Sequence, residues 1–561
     1  MNTLFYGDCL TIMREKMQAE SVDLVYLDPP FNSKRDYNAI YKDETGRPLP
    51  DQVEAFTDTW TLDAERMKVI SDLQILLSEH RINGESANFL AMFLKGLSYT
   101  QSDMAAYLSY MTERLVWIRS MLKPNGSIYL HCDPSASHYL KIVMDVIFGN
   151  RGYRNEITWR RLVGGKSDAG QYGRSSDRLL FYTMSNDFVF NPPRLSKHNE
   201  KTITQWYRNE DEHGRYVSRP LTAAGGTQGD SGQPWRGRTP TGHWTVPRIL
   251  QRRYEQETGN KLEGTVRERL DILAENGFID FSSSGLPSWR RYLHEAEFPR
   301  VHDLWIDEEV KPLSRNAKER LGYETQKPVT LLERVINTSS NPGDLVFDPF
   351  CGCATTIEAA SRLGRRWLGI DITIHAIKRV ARRRLQERLH LILGEDYTLD
   401  GVPQNWEGAL ELWRQDPYQF QKWAVEQVDG FVTVKRTGDE GIDGRIYFDM
   451  HDENILQSMV LEVKGGENVG IAELRSLISV LQYENVQMAG LILLNEPSER
   501  QIRNFKKNMA QAGHLSVGHQ EYPRVQMLTV QQILDGSKFD LPRPAGRTEL
   551  PYDNDLFSHS N

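Results

Sequence analysis

Apolar residues follow two periods along this chain. Short apolar runs that end in a turn or an acid alternate with stretches of helical spacing. The first run, VDLVYL at Val22–Leu27, is stopped by Asp28-Pro29-Pro30-Phe31. Proline donates no backbone hydrogen bond, so the run reads as a buried strand feeding a stiff turn. Asp28 then sits at the strand's carboxyl end. Residues 101–122 have helical periodicity, Lys123-Pro124-Asn125-Gly126 reads as a turn, 127–132 as a strand and Ser137–Phe148 as a helix. This alternation predicts a mostly parallel α/β sheet. In open sheets of that kind ligands bind outside the carboxyl ends of the strands.

The pattern breaks over 160–247, where Gly, Arg and polar turn residues dominate and loops are expected. Trp206, Trp235, Trp244 and the periodic stretch 254–276 argue that this region folds. Periodicity resumes with a helix at 328–338, a strand at 345–347, a helix at 355–363 and a strand at 367–370 that ends at Asp371. A basic helix is expected at 374–389, then a linker with a short helix. From 417 onward a helix at 420–428 and strands at 431–435, 446–448, 459–463 and 489–494 outline a second compact α/β unit.

Composition narrows the class. With 561 residues, 39% hydrophobic and 26% charged, the chain is globular and large enough for about three or four domains. Four cysteines without a CxxC pair exclude a disulfide scaffold and a cysteine zinc site. No apolar stretch approaches the ~18 residues of a membrane span, and the amino terminus lacks a secretory pattern. A cytoplasmic protein is expected. The net charge of −8 excludes a uniformly basic coat, but 361–390 carries nine Arg or Lys against two acids. A local cationic face is all that phosphate contacts require.

Three segments suggest chemistry together. An exocyclic amine on a nucleobase is a poor nucleophile, because its lone pair is delocalised into the ring. Asp28 and the Pro29 carbonyl could accept its two hydrogens and help localise the pair, while Phe31 could stack on an extruded base. Asp348-Pro349-Phe350-Cys351-Gly352, followed by Cys353-Ala354-Thr355-Thr356, is a glycine-bearing strand-to-helix turn that lets a cofactor approach the backbone. Asp371 ends the next strand, where it could bind both hydroxyls of a ribose.

These segments resemble, in order, the motifs of S-adenosylmethionine-dependent DNA amino-methyltransferases of the beta class. Tyr6-Gly7-Asp8-Cys9-Leu10 resembles the family's opening segment, Asp28–Phe31 its catalytic tetrad and Thr325-Gln326-Lys327-Pro328 its cofactor-contacting motif. Asp348–Thr356 resembles the cofactor loop and Asp371 the ribose-binding acid. The resemblance implies a Rossmann-like sheet with its catalytic part at 1–190, target recognition at 191–310 and cofactor binding at 311–395. It implies S-adenosylmethionine as cofactor and double-stranded DNA as partner. The Asp-led tetrad is similar to enzymes that modify adenine N6, with cytosine N4 as the alternative. Asp8, Phe350, Gly352 and Thr355 are expected at the cofactor. Arg236, Arg238, Arg248 and Arg382 are candidate DNA contacts. Ala354 stands where the family often has glycine, and alanine fits only if φ stays negative there.

Beyond a linker at 396–416, the unit at 417–545 carries Gly-Ile-Asp443-Gly and Leu-Glu462-Val-Lys464-Gly; 546–561 is read as a tail. Glu462 and Lys464, two apart on a strand, share a face. With Asp443 they could hold Mg²⁺ and orient an attacking water. The arrangement resembles the PD-(D/E)xK restriction endonuclease superfamily, particularly its Mrr-like branch, with Glu426 as a further acid at the metal. Together the resemblances imply restriction and modification in one chain. The alternatives are a methyltransferase with a non-cutting DNA-binding module, or a DNA-binding protein without activity. A homodimer is left open. Gly164-Gly165-Lys166-Ser167 lacks the leading glycine of a phosphate loop, so no ATP-driven motor is expected.

Overall fold

Val22, Leu24, Val25, Tyr26 and Leu27 are all buried, and they form a central strand covered on both faces. Each such side chain contributes roughly 1.5–3 kcal/mol of apolar burial. The computed structural model describes residues 1–30, 60–162, 170, 172–196, 200–226, 229–314, 317, 319–320, 326–373, 377, 384–433, 442–450, 456–466, 469–483 and 486–542, with the backbone of Asp36–Ala39 and Val53–Thr57. Phe31, Thr325, Arg382 and the segment from Gly164 to Ser167 lie outside the described residues. The chain divides into one unit of Met1–Asn191 with Asp303–Asn561 and another of Pro192–His302.

The first unit holds a nine-stranded sheet. Its order is Leu304–Trp305, Tyr153–Arg160, Ser176–Thr183, Leu122–Cys132, Val22–Leu27, Leu345–Asp348, Arg366–Asp371, Asn2–Tyr6 and Tyr397–Asp400. Ser176–Thr183 runs antiparallel to both neighbours; the remaining pairs are parallel. Strand order reverses between Val22–Leu27 and Leu345–Asp348, which makes that gap the topological switch point. Asp28 and Asp348 flank it. The architecture is an α/β Rossmann-like sheet.

Two local readings change. Val22 pairs with Leu122 and Leu24 with Ser127, so residues 123–126 bulge within the strand Leu122–Cys132 instead of ending it. Asp23, 2.7 Å from Lys123, pins the bulge. Helices Ala64–Glu79 and Gly84–Thr100 place Leu73, Leu77, Leu90 and Leu94 in the core. The stretch read as a linker contributes the edge strand Tyr397–Asp400, and the short helix expected there is Trp406–Gln415.

The second unit is built on the antiparallel strands Asp280–Phe281, Pro287–Tyr292, Gly214–Pro220 and Asn209–Asp211. Helices Arg248–Thr258 and Val266–Glu275 bury Leu250, Tyr254, Leu270 and Leu273 against Trp235, Trp244 and Trp289. Bulky aromatics give this glycine-rich segment the core that a loop reading misses.

The carboxyl-terminal part forms a five-stranded sheet, in order Phe431–Val432, Gly444–Asp449, Leu456–Lys464, Met488–Leu493 and Val525–Thr529. Its first two pairings are antiparallel and its last two parallel. Among the described residues, no helix is long and apolar enough to cross a membrane.

Candidate active site

Asp28 directly follows the strand Val22–Leu27, so the central strand fixes its position. Lys327 forms an ion pair with Asp28 Oδ2. Asp28 Oδ1 is buried and has no hydrogen-bond partner among the described residues. A buried acceptor left in that state costs about 1–3 kcal/mol, and an incoming N–H would recover it. Lys327 is expected at the cofactor from sequence; the structure brings it to Asp28, just before Pro328, the cap of helix Val329–Ser339. Gln326 donates to the Glu319 carbonyl at 2.7 Å.

Beside Asp28 lies a polar chain that the sequence reading missed. Tyr26 Oη is 2.8 Å from His131 Nδ1, and His131 Nε2 is 3.2 Å from Asp177 Oδ2. All three residues are buried. An Asp177 carboxylate can only accept, so the network assigns the His131 proton to Nε2 and makes Tyr26 the donor to Nδ1. Burial pushes the Asp177 carboxyl up, but His131, Lys327 and Arg161 outweigh it and hold the group below its ordinary value. The chain ties three adjacent strands together beneath the catalytic turn. Its only sequence signal is Tyr26 at i−2 from Asp28, on the same strand face.

The cofactor turn follows Leu345–Asp348. Gly352 adopts φ +44° and its N–H donates to Asp371 Oδ2 at 2.8 Å. Asp371 Oδ1 accepts from Thr373 N and Oγ1 at 2.8 and 2.6 Å. A carboxylate has about four acceptor sites. One therefore remains for a ribose hydroxyl, and binding a second hydroxyl requires Thr373 Oγ1 to turn away. Thr355 is buried and opens the helix Thr355–Arg362, while Pro349 and Phe350 form the turn. The absence of a Cβ at Gly352 and the carboxylates beside it fit S-adenosylmethionine. Asp8 serves differently: its Oδ1 caps helix Cys9–Lys16 and its Oδ2 pairs with Arg114 at 2.5 Å.

Ala354 is left-handed, at φ +55° and ψ 30°, against the expectation of a negative φ. Its amide reaches the Cys351 carbonyl at 2.6 Å, and this turn imposes the conformation. Left-handed backbone costs an L-residue roughly 1–2 kcal/mol, partly offset by the entropy of glycine. Ala354→Gly is expected to raise stability by about 0.5–1 kcal/mol in a denaturant titration; a lower midpoint would overturn the strain argument.

Asp348 is buried, and burial, with smaller contributions from Asp28 and Asp371, pushes its carboxyl up to about 7 despite bonds from Thr356 and the Phe350 amide. An unfolded aspartate titrates near ~4. Between these values the folded chain binds the extra proton. This contribution is full below pH ~4 and is lost as pH rises through about 7. Without cofactor, Asp348→Asn is expected to flatten the fall in denaturation midpoint between pH 5 and pH 8. An unchanged slope would exclude Asp348 as its source.

In the carboxyl-terminal sheet, Asp443, Glu462 and Lys464 meet at one strand end. Asp443 Oδ2 accepts from Val463 N at 2.7 Å, and Lys464 Nζ is 2.6 Å from Glu462 Oε1. Burial, chiefly, raises the Glu462 carboxyl, with Lys464 opposing. Among the described residues, no group of three or more His, Cys, Asp or Glu could hold a metal. Glu426 therefore does not complete a site with Asp443 and Glu462. Its charge instead acts on Tyr6 and Lys422. The described residues do not fit a three-ligand Mg²⁺ site.

In the second unit, Arg236 is committed to Asp271 at 2.9 Å, whereas Arg238 and Arg248 are exposed.

A DNA methylase family model matches residues 22–382. The type II methyltransferase M.EcaI of Enterobacter cloacae is 32% identical over 328 residues, covering 56% of this chain and 68% of its own length. The Mod subunit of the type III enzyme StyLTI of Salmonella typhimurium is 26% identical over 377 residues, 64% of this chain and 50% of the relative. The Escherichia coli DNA adenine methyltransferase YhdJ is 44% identical over 87 residues, 16% of this chain and 26% of the relative. A putative DNA modification methylase of Thermus thermophilus, solved with S-adenosyl-L-methionine, aligns over 71% of this chain and 99% of its own at a TM-score of 0.32 and 13% identity. With most of the chain matched by the family model, and with Asp28 and the Gly352 turn at one switch point, the chain belongs to the DNA methylase family, S-adenosylmethionine-dependent enzymes of the adenine-N6 or cytosine-N4 type.

Proposed function

We propose that this chain methylates adenine N6 at a specific site in double-stranded DNA. The buried Asp28 Oδ1, without a hydrogen-bond partner among the described residues, carries this reading. It offers an acceptor to one amine hydrogen, and the Pro29 carbonyl accepts the other. Lys327 holds Asp28 Oδ2, so the carboxylate presents Oδ1 in one orientation. Phe31 is assigned to stacking on the extruded base and Pro30 to stiffening the turn. Gln326, Pro328, Asp348, Pro349, Phe350, Gly352, Thr355 and Asp371 would hold the cofactor. S-adenosylmethionine supplies an electrophilic methyl group on sulfur. The Asp-led tetrad and the 44% identity to an adenine methyltransferase favour adenine over cytosine. Single-molecule sequencing of DNA from cells expressing the chain should show N6-methyladenine in one sequence context. N4-methylcytosine there would reverse the choice of base.

For the carboxyl-terminal part we favour a DNA-binding module that does not cut. Val463 and Lys464 already engage Asp443 and Glu462. Arg500, Arg503, Lys506 and Lys507 are exposed on helix Glu499–Gln511, and a cationic helix face of this kind suits DNA phosphates. The competing reading is Mg²⁺-dependent cleavage, the restriction half of a combined enzyme. Unmethylated DNA incubated with the protein and Mg²⁺ is expected to stay intact. Breaks that disappear in Lys464→Ala would establish the nuclease.

A further inference from the structure

The second unit contains a small cationic cavity, built by a tight turn. Trp235 and Arg238 exchange both backbone hydrogen bonds at 2.9 Å. Between them Arg236 has φ +47° and Gly237 φ +74°. Two successive positive φ values match a type I′ turn, whose first position is strained for a residue with a Cβ. Arg236 is held there by its Nε bond to Asp271 Oδ1, which also accepts from Trp235 Nε1 at 3.0 Å. Arg236 is thus a strut, its guanidinium lying 5.4 Å from the Trp235 ring centroid and 5.8 Å from that of Phe281.

Arg238 is different. It is exposed, and its guanidinium makes no hydrogen bond or ion pair with any described residue. It lies over Gly285, where a Cβ would stand 3.1 Å from Arg238 Nη2 and where φ is +77°. Trp235, Arg236, Arg238, Phe281, Gly285 and Pro287 line a cavity of about 450 Å³. Its walls are aromatic rings and a proline, with Phe281 42% exposed. Apolar rings beside a guanidinium suit the edge of a base, the part of a stacked pair that a groove exposes. A phosphate would be better served by a nest of backbone N–H groups.

We infer that this cavity is a base-reading site, and that Arg238 reads a guanine of the recognition sequence through its O6 and N7. A guanidinium fork that is unpaired among the described residues matches those two acceptors, the commonest specific contact in the major groove. The inference rests on the DNA methyltransferase reading and assigns specificity at one position to one side chain.

The test uses the full chain and the modification motif of the wild type. Arg238→Ala should relax preference at one guanine by roughly 5- to 150-fold and leave the other positions unchanged. Arg238→Gln should move preference at that position towards adenine. With the wild type, 7-deazaguanine at that position should lower kcat/KM to a similar degree, whereas Arg238→Ala should not respond to it. That last comparison needs no equality of overall activity between the two proteins. A wild-type motif without guanine, an unchanged preference in Arg238→Ala, or a uniform loss with a shallower salt dependence would each overturn the assignment. The last outcome would mark a phosphate contact. If the wild type modifies no DNA, the methyltransferase reading fails instead; a wild type that modifies DNA isolates failure to the cavity.

Discussion

Asp28→Ala is expected to slow methyl transfer by about 10²–10⁴-fold while S-adenosylmethionine still binds. The reason is local. Asp28 Oδ1 is the buried acceptor at the switch point, and Oδ2 is occupied by Lys327. When the nitrogen attacks, its lone pair moves out of the ring and its hydrogens become more acidic. A carboxylate oxygen already in place stabilises that change more than it stabilises the resting amine, which makes the interaction selective for the transition state. Asp28→Asn preserves the shape and a carbonyl acceptor but removes the charge, so it should retain more activity than alanine. Single-turnover rates on a duplex of known motif, with cofactor affinity from calorimetry, separate chemistry from binding. Full activity in Asp28→Ala would refute the assignment. A lost rate accompanied by lost cofactor binding would move Asp28 into the cofactor site.

The second large effect is on stability. Glu358, on the helix that follows the cofactor turn, is fully buried and pairs with the fully buried Arg384. Arg362, at 2.5 Å, and Arg388, at 3.6 Å, converge on the same carboxylate. Removing Glu358 strands Arg384 in the interior, and breaking a buried pair from one side costs about 3–5 kcal/mol. Glu358→Leu should therefore lower the denaturant midpoint markedly. The double change Glu358→Leu with Arg384→Met should recover most of the loss, because well-packed apolar replacements of a buried pair are often neutral. Failure of the double variant to recover would show that Arg362 and Arg388 also depend on Glu358. A silent single variant would show that the pair contributes little.

Much of this arrangement is legible in the sequence for a physical reason. Parallel strands buried on both faces must be continuous apolar runs, so Val22–Leu27, Leu345–Asp348 and Arg366–Asp371 announce themselves. Each ends in an acid at the edge where ligands bind. The middle segment is harder, because its strands are short and its core is made of scattered tryptophans. No period marks Trp235 and Trp244 as neighbours, though their rings lie 5.6 Å apart. Likewise nothing local distinguishes Arg236 from Arg238. Only the turn between them shows that one is tied to Asp271 and the other faces the cavity.

The sequence by itself thus determined the strand periods, the acids at their ends and the motif order that placed the chain among amino-methyltransferases. The tertiary structure decided which atoms meet. It put Lys327 on Asp28 across 299 residues, joined Tyr26, His131 and Asp177 from three strands, and left Ala354 left-handed. It also kept Glu426 away from a three-ligand metal site with Asp443 and Glu462. Period and composition report how each segment is solvated. Contacts between distant segments depend on sheet order, register and burial, which no single stretch of chain encodes.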